Sequence, residues 1–116
     1  MTKRKILIAN GPNLGILGQR QPGIYGTDGI DVIIDAVRSR VGDAVIVEHL
    51  QTNHEGVLID ALNAKAHDPL YVGVILNAGA WTHTSLAVAD AVAAMDALRL
   101  NKILIKSYRT RQAVVF

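Results

Sequence analysis

A chain of 116 residues, half of them apolar, has room for one domain with a real core, and aromatics at 4% leave that core to Val, Ile, Leu and Ala. The absence of cysteine excludes a disulfide framework and a thiolate metal site and fits a reducing cytoplasm. The net charge of +2 conceals an asymmetry: positions 97–116 hold Arg99, Lys102, Lys106, Arg109 and Arg111 without an acid, but Tyr108 is the one aromatic interleaved among them, which argues against nucleic acid.

The chain opens with a basic patch, Lys3-Arg4-Lys5, and an apolar run, Ile6 to Ala9, which reads as a short buried strand. That run ends too soon for a secretion signal, and no apolar stretch reaches the ~20 residues of a membrane span. It empties into the long polar loop Asn10–Gly26, NGPNLGILGQRQPGIYG. Gly11, Gly15, Gly18 and Gly23 with Pro12 and Pro22 specify the loop's path, and loops of this length in small domains are usually functional when they are not disordered.

A helix follows, with Ile30, Ile33, Ile34, Val37 and Val41 at helical spacing, Thr27 or Asp28 as its cap and Gly42 as its stop. Ala44–Leu50 reads as a second strand that stops at the polar segment Gln51–Gly56, where Asn53 or a neighbour caps a helix over about 55–67. Asp68-Pro69 breaks that helix. Tyr71–Asn77 is almost continuously apolar, as expected of a strand covered on both faces. It ends in the polar segment Asn77–Ser85, followed by a helix over about 85–95 with Val88, Ala91, Val92 and Met95 on one side, then a short strand over about 102–106. This alternation predicts an α/β fold, a single domain over residues 1–116 in which a parallel sheet carries helices on both faces. In such sheets ligands bind beyond the carboxyl ends of the strands, so the loops 10–26, 51–56 and 77–85 gather on one edge.

Asn13, Arg20, Tyr25, Asn53, His54, Glu55, Asn77, His83 and Asp90 are the residues with chemistry to offer there. His54, His83 and the scattered acids lack metal-ligand spacing, and the glycines match no phosphate-binding loop, so no metal or cofactor is expected. Tyr25 with Arg20 is the most informative pair. A phenol of pKa ~10 is about a thousandth ionised at pH 7, and a nearby guanidinium in a poorly solvated cleft favours the phenolate. A tyrosinate so formed is able to take a proton from the carbon next to a carbonyl. Alternatives stand beside these roles: Tyr25 as a wet loop tyrosine, His83 as a helix cap, Asn77 as the holder of its own turn and Asp90 as a solvated acid.

Three segments, N-G-P-N-L-x-x-L-G-x-R-x-P-x-x-Y-G over Asn10–Gly26, Q-T-N-H-E-G over Gln51–Gly56 and N-x-G-x-x-T-H-T-S over Asn77–Ser85, resemble the type II 3-dehydroquinate dehydratases, as does the acid at Asp90. The resemblance covers roughly residues 5–95. It implies a flavodoxin-like three-layer fold, shortened at its C-terminal end, and a cytoplasmic homo-oligomer, a trimer or a dodecamer of four trimers. It implies the shikimate-pathway elimination of water from 3-dehydroquinate to 3-dehydroshikimate through an enolate, without cofactor. By the same resemblance Tyr25 is the proton acceptor, Arg20 lowers its pKa and Asn13 holds the water facing the enolate. Asn77 and His83 bind substrate, Asp90 reaches a site across a subunit boundary, and Gln51–Gly56 supports the cleft. The family's proton donor is a histidine in a P-x-x-E-V-H-x-S-N segment after the third helix. This chain has no histidine after His83 and no acid after Asp96, and Lys106 and Tyr108 are the substitutes it offers. Two other readings follow: a homologue without turnover that binds a small polyhydroxy acid or assembles with partners, and a C-terminal stretch past Met95 that is not the natural ending, through truncation or a shifted reading frame.

Overall fold

The computed structural model describes residues 3–16, 18–19, 23, 29–97, 103–106 and 113–115. Among them run β1 (Lys5–Asn10), a 3-10 turn (Leu14–Ile16), α1 (Ile30–Val41), β2 (Ile46–Gln51), α2 (Glu55–Ala66) and β3 (Tyr71–Asn77). A second 3-10 turn (Gly79–His83), α3 (Leu86–Ala97), β4 (Ile103–Lys106) and β5 (Ala113–Val115) complete the order. The strands form one sheet in the order β2-β1-β3-β4-β5, the flavodoxin-like order with its switch point between β1 and β3. Each pair from β2 to β4 is parallel.

The four strands expected from sequence are parallel, and a fifth, β5, pairs antiparallel with β4. The cause is chain length. Only six residues separate Lys106 from Ala113, whereas a parallel return needs a crossover of a dozen or more. The cap of α1 is corrected. Its N-cap is Gly29, in extended conformation, while Thr27 and Asp28 lie outside the described residues. Gly42 stops the helix as expected: with φ at 56° it donates its N–H to the Arg38 carbonyl at 3.0 Å.

Strand alternation divides the interior into two layers. Leu7, Ala9, Val74 and Leu76 point to the face covered by α2 and α3, where Leu58, Leu62 and Met95 are fully buried. Ile8 and Val47 point to the other face, under Ile34 of α1, with Val37, Val41 and Ile75 packed around them. The foreseen apolar positions of α3, Val88, Ala91, Val92 and Met95, are all buried. A register shift at the start of the β1–β3 pairing, where Lys5 faces Tyr71 but Ile6 faces Gly73, puts Tyr71 in the same layer as Val74. α1 is tied to the sheet edge by Arg38, whose Nε and an Nη donate to the Val47 carbonyl at 3.3 and 3.1 Å.

At the amino end of the sheet Glu48 stands between two ammonium groups, 3.5 Å from Lys5 Nζ and 3.5 Å from Lys65 Nζ. Lys65 Nζ also lies 4.8 Å from the centre of the buried Tyr71 ring. The Tyr71 hydroxyl, then Lys65 and Lys5, hold the Glu48 carboxyl below its usual pKa against the opposing effect of burial. Burial, followed by the Glu48 carboxylate, pushes the Tyr71 phenol up. A carboxyl depressed in this way contributes its full stability above the ordinary carboxylate range and loses it as pH falls through the folded value. Glu48→Gln is therefore expected to flatten the decline of the urea midpoint between about pH 5 and 3. Curves for variant and native chain that stay parallel across that interval would refute the role of this cluster.

Candidate active site

The carboxyl ends of β1, β2 and β3 stand side by side, because Asn10 pairs in register with both Gln51 and Asn77. Five backbone and side-chain hydrogen bonds then lash the loops together. Gly11 donates its N–H to the Asn77 carbonyl at 2.8 Å, and Thr52 donates to the Asn10 carbonyl at 3.0 Å. Gln51 reaches from the end of β2 and gives its Nε2 hydrogens to the Gly11 carbonyl at 3.1 Å and to Asn53 Oδ1 at 3.2 Å. Asn53 Oδ1 in turn accepts the backbone N–H of Asn13 at 3.0 Å. These bonds hold Asn13 at φ 65°, in the left-handed region that asparagine tolerates better than most side chains. Gly11 is obligatory for a different reason: a Cβ there would lie 2.5 Å from the Ala78 carbonyl oxygen.

The third loop is built just as tightly. Asn77 Oδ1 accepts the Gly79 N–H at 3.2 Å, so Asn77 holds its own turn, and Gly79 has φ 58°. Thr82 Oγ1 donates to the Gly79 carbonyl at 2.7 Å. Ser85 caps α3 by accepting the Val88 N–H at 3.0 Å and donates to Glu55 Oε2 at 2.5 Å, bridging the first turns of α2 and α3. That cap belongs to Ser85 rather than His83. At the start of α2 neither Asn53 nor its neighbour His54 supplies a side-chain cap; His54 is the N-cap, and its N–H is taken by Thr52 Oγ1.

Of the residues proposed from sequence, the structure brings Asn13, Asn53 and Asn77 to one edge, in two recesses. Asn13 is exposed and lines a polar recess of about 270 Å³ with Gly15, Gln51 and Asn53. Asn77 lines a cavity of about 200 Å³ beneath α1, with Asn10 and a wall of Ile8, Leu14, Ile34 and Ile75. His83 ends the second 3-10 turn, its side chain outside the description. Asp90 is exposed on the solvent side of α3. Arg20 and Tyr25 lie outside the described residues, as does Tyr108. Lys106, at the end of β4, is the register partner of Asn77, which puts its backbone on the same edge.

Two residues with no sequence role emerge. Asn10 is buried at the end of β1, and its Nδ2 lies 3.0 Å from Nε2 of His49 on β2. The first heads the Asn10–Gly26 segment and closes an apolar run, but nothing in that pattern gave it a role of its own. No signal marked the second. Among the described residues no group of His, Asp or Glu is arranged to hold a metal ion, and no helix is long and apolar enough to cross a membrane.

Comparison with known proteins gives this edge its family. A model of the class II dehydroquinases matches residues 4–112. The chain belongs to that family. It is 48% identical over 94 residues to a 3-dehydroquinate dehydratase of an Exiguobacterium species, a match covering 80% of this chain and 62% of the relative. It is 50% identical over 93 residues to that of a Jannaschia species, with 79% and 62% covered. The type II dehydroquinase crystal structure from Butyrivibrio crossotus superposes with a TM-score of 0.76 at 34% identity, over 90% of this chain and 68% of the other. The chain thus spans about 62% of the length of those two curated relatives.

The lashings make quantitative demands. Ser85→Ala is expected to cost about 1 kcal/mol through loss of the cap. Gly11→Ala is expected to cost more, since the clash is with backbone that has no rotamer to yield. Urea denaturation of the two variants checks the order, and equal midpoints would contradict it.

Proposed function

We propose that the chain is a type II 3-dehydroquinate dehydratase acting as a single-domain subunit of a homo-oligomer. The observation that carries this is the convergence of Asn10–Ile16, Gln51–Gly56 and Asn77–Ser85 on one sheet edge, with Asn13 held by Asn53 and Gly11 held by Asn77. In this reading the Tyr25 phenolate, favoured by the Arg20 guanidinium, takes the proton from the carbon beside the ketone, and the electron pair moves into an enolate. Asn13 holds a water facing the enolate oxygen. The carbon–oxygen bond to the leaving hydroxyl then breaks as that hydroxyl takes a proton, and water departs. Asn77 and His83 bind substrate hydroxyl and carboxylate groups, and Asp90 serves the site of a neighbouring subunit.

The donor of the second proton is Lys106 in this proposal. It follows no histidine of the family type, and its place beside Asn77 in the register supports the assignment. A protonated ammonium delivers a proton without needing an oriented partner. Residues 84–116 contain no histidine, which favours one competing reading, a homologue that binds a polyhydroxy acid without turning it over.

Turnover is followed by the enone absorbance of 3-dehydroshikimate. The native chain is expected to show it, Tyr25→Phe to abolish it, and Lys106→Met to reduce it by about 10²–10⁴-fold. Binding of 3-dehydroquinate with no absorbance change in the native chain would establish the binding protein instead.

A further inference from the structure

Asn10 is only 8% exposed, and its carboxamide nitrogen faces His49 Nε2 at 3.0 Å. With the nitrogen committed there, Oδ1 is directed elsewhere, and among the described residues no donor meets it. Asn10 and Asn77 are the polar groups of the cavity of about 200 Å³ beneath α1, whose other walls are aliphatic. A buried carbonyl oxygen without a donor is unfavourable, and a ligand hydroxyl removes the deficit.

For Nε2 to accept from Asn10, the His49 ring has to carry its proton on Nδ1 and be neutral. Its surroundings favour that state. Burial holds the ring below its ordinary pKa, with Asp31 of α1 opposing and Arg38 of α1 adding to the effect. From β1 the ring meets Ile8, its register partner, and Asn10, neither of them charged. Glu48, its neighbour on β2, points to the opposite layer by strand alternation.

We propose that Asn10 is a further ligand-binding residue, its Oδ1 accepting a hydrogen bond from a hydroxyl of the bound polyhydroxy acid, and that His49 is the positioning residue that fixes the sense of its carboxamide. This deepens the functional reading above and rests on it. A protonated His49 ring becomes a donor at Nε2. It then claims Oδ1 for itself, the carboxamide turns over, and the acceptor is withdrawn from the ligand. A site built to accept from a particular hydroxyl discriminates strongly against ligands that cannot supply it there.

Nitrogen-15 NMR of the full chain, with 3-dehydroquinate as the titrant, tests both halves. The native spectrum is expected to show His49 protonated at Nδ1 and free at Nε2. Asn10→Ala and His49→Phe are expected to weaken binding about tenfold near neutral pH. His49→Gln, whose Oε1 stands close to where Nε2 stood, is expected to recover most of the affinity lost in His49→Phe. It also removes the loss of affinity that the native chain shows on going from about pH 7.5 to 5.5. A proton on Nε2 in the native chain at neutral pH overturns the proposal, and so does equal affinity in the native chain and all three variants. If the native chain has the expected tautomer but binds no 3-dehydroquinate, the functional reading is what fails, and the ligand half of this inference fails with it.

Discussion

The carboxamide of Asn53 holds this site together. One oxygen receives the backbone of Asn13 from the first loop and the side chain of Gln51 from the end of β2. Gln51 spends another hydrogen on the Gly11 carbonyl. Backbone donors and acceptors of an irregular loop at a sheet edge have no ladder to join, and leaving them unpaired in a partly buried place is unfavourable by about 1–3 kcal/mol each. Two amide side chains meet that demand, and in doing so they fix the unusual backbone angle at Asn13. The polar recess beside Asn13 is the space those two side chains leave open.

Much of the frame could be read from residue order. Tyr71–Asn77 is almost continuously apolar, and the strand has those same ends. The helical spacing of Val88, Ala91, Val92 and Met95 put the right face of α3 inward because no polar residue interrupts it. Legibility ended where a partner is distant in sequence or a signal is short. Ala113-Val114-Val115 has too few residues to display an alternation, and its antiparallel direction comes from the brevity of residues 107–112 rather than from its own composition. His83 is a plausible cap on paper, and only the position of the first turn of α3 gives that role to Ser85.

The site was legible as a set of loops and not as a set of contacts. The motifs placed Asn13, Asn53 and Asn77 on one edge. No periodicity states that Asn53 would grip a backbone N–H forty residues earlier, or that His49 would face Asn10 across a strand boundary. Such pairs depend on register, and register is set by the whole sheet. The two faces of that sheet also differ in a way composition does not reveal. Among the described residues two helices cover Leu7 and Leu76, whereas one covers Ile8 and Val47 and leaves the cavity that Asn10 and Asn77 floor.

β1 lies between β2 and β3, and this has a temporal consequence. On a ribosome the first strand to emerge must wait for both flanks, since neither parallel neighbour arrives until an intervening helix has been made. The edge bearing Asn10, Gln51 and Asn77 closes only once residue 77 is free of the exit tunnel. Loop closure over such separations slows folding relative to a hairpin-built sheet of the same size. Nascent chains arrested before that point would expose Leu7 and Ala9, which makes the opening strand a natural target for a holding chaperone.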